Sequence, residues 1–214
     1  MMAKNFDQMK YNFIYSHELW WLTDAIKKGC EELFQKTPLP EKGYYLKVDY
    51  KIHALINNIL SDAANVKKLI SIPKHKTKEE SSRQFNLHIE RSKYLMDKLK
   101  GIELSEITSV KLRNTLQHFD EYFDQMNIEA SEGKLKQHVM AFYNIVLSHW
   151  EAVDINPYPL RVYISSEKKY YNMKAMVNIG MIYKEASSIN DLLTNELNKG
   201  METEPGGFIV PLHK

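Results

Sequence analysis

Apolar positions recur along much of this chain at a spacing of three and four, the mark of helices with one buried face. Leu19, Leu22, Ile26, Cys30 and Leu33 form such a stripe inside a segment from about Asn12 to Gln35, and Trp20 and Trp21 broaden it toward a core-facing surface. Thr37-Pro38-Leu39-Pro40 ends the segment, because two prolines this close cannot continue a helix. Ile52, Leu55, Ile56, Ile59, Leu60, Ala63, Val66 and Ile70 predict a second, longer helix that stops near Pro73. Thr77 and Glu80 have the spacing of a capping box and predict the start of a third helix, with Phe85, Ile89, Leu95 and Leu99 on its apolar face and Gly101 as its stop.

A fourth helix is predicted from about Ser105 to Ala130, where Leu112, Leu116, Phe119, Phe123 and Met126 step by four, three, four and three. That narrow seam suits a helical bundle. The pattern then changes. The segments Phe142–Leu147 and Leu160–Ile164 are rich in β-branched and aromatic residues, with Asn156-Pro157-Tyr158-Pro159 breaking the chain between them. Ser165-Ser166-Glu167 offers a turn into a further strand, Lys168 to Asn172. A last helix is expected from about Tyr183 to Asn198, carrying Ala186, Ile189, Leu192, Leu193 and Leu197. The expectation is a mainly α fold: one helical domain over 1–199 with a small β element near 140–175, and a mobile tail over 200–214.

Composition adds limits. The chain has 214 residues, enough to bury a core without staples. Its 29 basic and 27 acidic residues leave a formal charge of +2, which predicts no long duplex-binding face. The single cysteine, Cys30, reads as a small buried hydrophobe of a protein in a reducing compartment. The first residues carry charge and lack a continuous apolar run, and no stretch reaches bilayer-spanning length, so a cytoplasmic protein without a membrane partner is expected. Glycine-rich phosphate loops, paired cysteines and Ser/His/Asp spacings are missing. His118, Asp120, Glu121 and Asp124 lack the Glu-x-x-His pairing of a bundle metal site, so neither metal nor cofactor is expected. His53 reads as a boundary residue beside the stripe of the second helix, and Lys74-His75-Lys76 as a solvated loop.

One run on the fourth helix carries chemistry: Arg113-Asn114-Thr115-Leu116-Gln117-His118. At about 100° per residue Leu112, Leu116, Phe119 and Phe123 gather within roughly 60° of one another, and Arg113, Asn114 and His118 fall on the other arc. They would line a groove rather than the helix's own seam. An arginine, a polar residue and a following histidine on one helix resemble the signature of HEPN ribonucleases. The resemblance implies a four- or five-helix bundle, a homodimer that joins two motif helices, and RNA cleavage without a metal. It assigns Arg113 to the phosphoryl oxygens, His118 to proton transfer, and Asn114 to orienting His118 or the phosphate. It suggests a toxin or defence component with a neutralising protein partner. The alternative is a non-catalytic helical protein of the same fold that binds a protein or a nucleotide through that groove.

Overall fold

The computed structural model describes residues 6, 10–109, 119–135, 139–154, 156–173, 175–197, 205–207 and 209–211. Five α-helices are described: α1 (Phe13–Lys36), α2 (Tyr50–Ile70), α3 (Ser82–Lys98), α4 (Phe119–Ser131) and α5 (Ile179–Leu197). Five strands form one sheet in the order β1-β2-β3-β4-β5: β1 (Leu46–Lys47), β2 (Val139–Leu147), β3 (Asn156–Ile164), β4 (Lys169–Asn172) and β5 (Ala175–Asn178). The central pair, β2 and β3, is parallel, and every other pairing is antiparallel.

This architecture corrects the expectation of a mainly α helical bundle with a β appendage. The protein is α+β, and the sheet is part of the core. Val146, Tyr163, Tyr170 and Val177 are buried in the same cluster as Leu19, Ile26, Ile56 and Ile189. The sheet's other face holds a second, smaller cluster of Phe142, Leu147, Val162 and Ile164, covered by Trp150, Ala152 and Val153 from the short link between β2 and β3. Adjacent residues such as Val146 and Leu147 thus serve opposite cores, as pleating requires. The end of the run, Ile145-Val146-Leu147, carries no polar alternation because both its faces are covered there, whereas Tyr143 is exposed.

On α1 and α2 the helical stripes are where the spacing predicts, while on α3 only Leu95 of the expected helix face is buried. Leu19, Leu22, Ile26, Cys30 and Leu33 are buried on α1, as are Ile52, Ile56, Ile59, Leu60, Ala63, Val66 and Ile70 on α2. Trp20 is buried and donates its indole N–H to Thr194 Oγ1 at 2.9 Å, whereas Trp21, one position on, is 56% exposed. The two helices approach closely at Gly29, where an added Cβ would come within 3.0 Å of Ile59 Cγ1. Ile59 is buried, so it can give way only by displacing other core side chains. Gly29→Leu should therefore cost about 1–3 kcal/mol by overpacking, despite leucine's better helix propensity, and chemical denaturation would measure it. No change in midpoint would mean that α1 and α2 can separate at this point.

Three boundaries differ from the sequence pattern. Thr77 and Glu80 do not start α3; they close a turn, and the helix begins at Ser82 behind a capping box made by Ser81 and Gln84. Residues 105–109 form turns rather than the start of the fourth helix. Asn156–Pro159 does not break the chain but opens β3. Both prolines lie where β3 pairs with β2 alone, since the ladder with β4 begins at Leu160. Alternate residues point their N–H the same way, so both missing donors fall on one side of the strand. No described helix is long and apolar enough to cross a membrane.

Candidate functional site

The motif residues Arg113, Asn114 and His118 lie outside the described residues, so the structure neither gathers them nor separates them. What it shows is how the chain enters and leaves the run. On the entry side, the buried carboxylate of Glu185 on α5 receives the loop. Its Oε1 accepts from the Ser105 N–H (2.8 Å), the Ser105 hydroxyl (2.9 Å) and the Glu106 N–H (2.8 Å). Its Oε2 accepts from the Ile107 N–H at 2.8 Å. Glu106 in turn accepts from the Asn178 N–H at 2.7 Å, and Lys67 Nζ donates to the Ser109 carbonyl at 2.9 Å. Helices α2 and α5 and strand β5 all grip residues 105–109.

On the exit side, Phe119, joined to His118 by one peptide bond, is the first residue of α4. Asp120 and Glu121 follow it in the described helix. One turn on, Phe123 packs edge-on against Tyr143 of β2 with ring centroids 5.6 Å apart. The Arg161 guanidinium of β3 lies 5.8 Å from the same ring. Nearer the helix end, Tyr158 donates its hydroxyl to Glu129 Oε2 at 3.0 Å. Burial first, and that bond to a carboxylate second, push the Tyr158 phenol up to about 12. So α4 meets β2 at Tyr143 and β3 at Tyr158 and Arg161.

The strands are irregular where α4 meets them. Asn144 and Arg161 both have left-handed backbones, φ 53° and 63°. Tyr143 pairs with Leu160 and Ile145 with Val162, so these two residues stand opposite one another. Phe142 and Ile145 both serve the outer cluster although strict alternation would oppose them, and Asn144 is the extra residue that absorbs the difference. A bulge in one strand alone would slip the register; two matched bulges keep it. The conformation costs an L-residue roughly 1–2 kcal/mol, and arginine has none of the local bonding that helps asparagine adopt it.

His53 sits behind this site. It is not the boundary residue that its place beside the α2 stripe suggests, for it is only 4% exposed, because the sheet closes over that side of the helix. Its ring lies 6.2 Å from that of Tyr170 on β4, and neither ring nitrogen makes a hydrogen bond of good geometry. Burial drives the imidazole down to about 4; Arg161 adds to that, while the Asn144 backbone and Asp49 oppose it. His53 is therefore neutral near pH 7. Burial raises Cys30 to about 12, so its thiol is inert, as the sequence suggests.

Elsewhere, Pro73, His75, Thr77, Glu80, Gln84 and His88 line an open cleft of about 280 Å³ beside the exposed loop Lys74-His75-Lys76. No family model, curated protein or solved structure matches the chain. The pairing of left-handed Asn144 and Arg161, and the placing of His53 against them, left no trace in the sequence pattern, since nothing about an arginine in a strand signals a bulge.

Proposed function

We propose that the protein is a metal-independent endoribonuclease working through Arg113, Asn114 and His118. The observation that carries the reading is the run Arg113-Asn114-Thr115-Leu116-Gln117-His118 leading directly into α4. The reading rests on the chemistry of those side chains and needs no helical bundle. A base takes the proton of an RNA 2′-hydroxyl, the freed oxygen attacks the adjacent phosphorus, and the 5′-oxygen leaves with a proton returned by an acid. A cyclic phosphate and a free 5′-hydroxyl result, and no water is consumed. Histidine titrates near neutrality and serves either step, so a homodimer through the motif helix would supply one His118 for each. Arg113 meets the charge that gathers on the phosphoryl oxygens with a fixed, permanently charged fork. Asn114 orients the histidine or the phosphate. Use of the 2′-hydroxyl restricts the substrate to RNA. The setting that fits such an enzyme is a cytoplasmic toxin or defence component held in check by a protein partner.

The test is cleavage of a mixed RNA in excess EDTA by the parent, His118→Ala and Arg113→Ala, with circular dichroism to verify folding. Cleavage by the parent alone, with cyclic-phosphate ends, is expected. Equal cleavage by all three would remove the motif as the site. Cleavage by none would leave a non-catalytic protein that binds RNA or another partner.

A further inference from the structure

We propose that Tyr143 and Arg161 form a nucleotide-binding subsite for single-stranded RNA, built by the sheet beside α4. The proposal deepens the ribonuclease reading and rests on it for the choice of RNA as the ligand. Tyr143 is half-exposed, and its ring is propped edge-on against Phe123, which leaves aromatic surface facing solvent. Arg161 lies over the same Phe123 ring. An aromatic platform and a guanidinium therefore share one support, and that support is on the helix into which the motif run leads.

Single-stranded nucleic acid is held by this combination: a base stacks on an aromatic side chain while an arginine meets the backbone phosphate or stacks in its turn. A base already paired inside a duplex has both faces covered and cannot stack on Tyr143. The small net charge agrees, since a stacking site needs no long basic face. Backbone strain supplies a second line of argument. Arg161 holds a left-handed conformation that most residues avoid, in register with a second one at Asn144. Such outliers gather at ligand-binding positions, and here the bulge accompanies a guanidinium set against α4.

The experiment uses a short, labelled 2′-O-methyl oligouridylate, which has no free 2′-hydroxyl and cannot be cleaved, with a duplex of equal length beside it. Fluorescence anisotropy reads affinity for the parent, Tyr143→Ala, Tyr143→Phe and Arg161→Gly. Glycine adopts the left-handed backbone freely, so Arg161→Gly removes the guanidinium without adding strain. The parent should prefer the single strand. Tyr143→Ala and Arg161→Gly should each bind about tenfold more weakly, and Tyr143→Phe should bind close to the parent. Equal affinity for strand and duplex, or an unchanged affinity in both Tyr143→Ala and Arg161→Gly, would overturn the subsite. Cleavage of unmodified RNA is scored separately with His118→Ala. Cleavage that depends on His118, beside affinities that ignore Tyr143 and Arg161, defeats the subsite alone. Affinities that follow Tyr143 and Arg161 in a protein that does not cleave defeat the ribonuclease reading alone.

Discussion

Glu185→Gln is expected to destabilise the protein by about 2–4 kcal/mol, a loss of roughly 5–15 °C in Tm for a chain of this size. The side chain is 3% exposed and fills its acceptor sites with three backbone N–H groups and one hydroxyl. Bonds to a carboxylate are stronger than neutral ones, and the buried Ile107 N–H has no substitute partner, whereas Ser105 is exposed and Glu106 half-buried. A glutamine can keep its oxygen on Ser105 and Glu106 only by turning its amide toward the Ile107 N–H, donor against donor. Ile107 is fully buried, so water cannot relieve that contact. Thermal and chemical denaturation would measure the loss, and hydrogen exchange would locate it. Residues 105–109 should lose protection first, because Glu185 is what ties them to α5. A variant within about 0.5 kcal/mol of the parent would mean that other contacts hold the loop.

That lock also shows why part of the fold was legible in sequence and part was not. The stripes of α1 and α2 could be read because a helix buried along one side must repeat its apolar residues every turn. Phe142–Leu147 and Leu160–Ile164 could be read as strands from their β-branched and aromatic content. Their importance could not be read, because nothing local distinguishes a peripheral hairpin from a sheet that shares its core with four helices. β1 has only two residues and β5 four, too short for any periodicity. Ser105–Ser109 looks like the first turn of a helix and is held as turns by a glutamate some eighty positions away, which no local pattern reveals. The candidate chemistry divides the same way. Arg113, Asn114 and His118 were found because they are close in sequence. His53, Tyr143 and Arg161 come from α2, β2 and β3, and only the fold brings them to one place.

His53 makes a second large expectation, in the response to acid. In an unfolded chain the imidazole titrates near 6.5; in the folded protein burial holds it near 4. Between those values the unfolded chain takes up a proton that the native site refuses, so stability falls as the pH drops from about 6.5 to about 4 and is unaffected by this group above that range. The gap corresponds to about 3 kcal/mol when fully expressed. The groups that face the ring are Arg161, Asp49, the Asn144 backbone and Tyr170, and only Asp49 could offset a charge there. His53→Leu removes the titration and buries no nitrogen. The variant should equal or exceed the parent in stability at pH 7, since the imidazole makes no hydrogen bond of good geometry that leucine would forfeit. The two should then diverge on acidification, the parent losing about 3 kcal/mol more by pH 4. Urea midpoints across that range separate this from the carboxylates, which titrate alike in both proteins. Parallel curves would show that His53 reaches solvent or a partner when protonated, and that the sheet does not seal that side of α2.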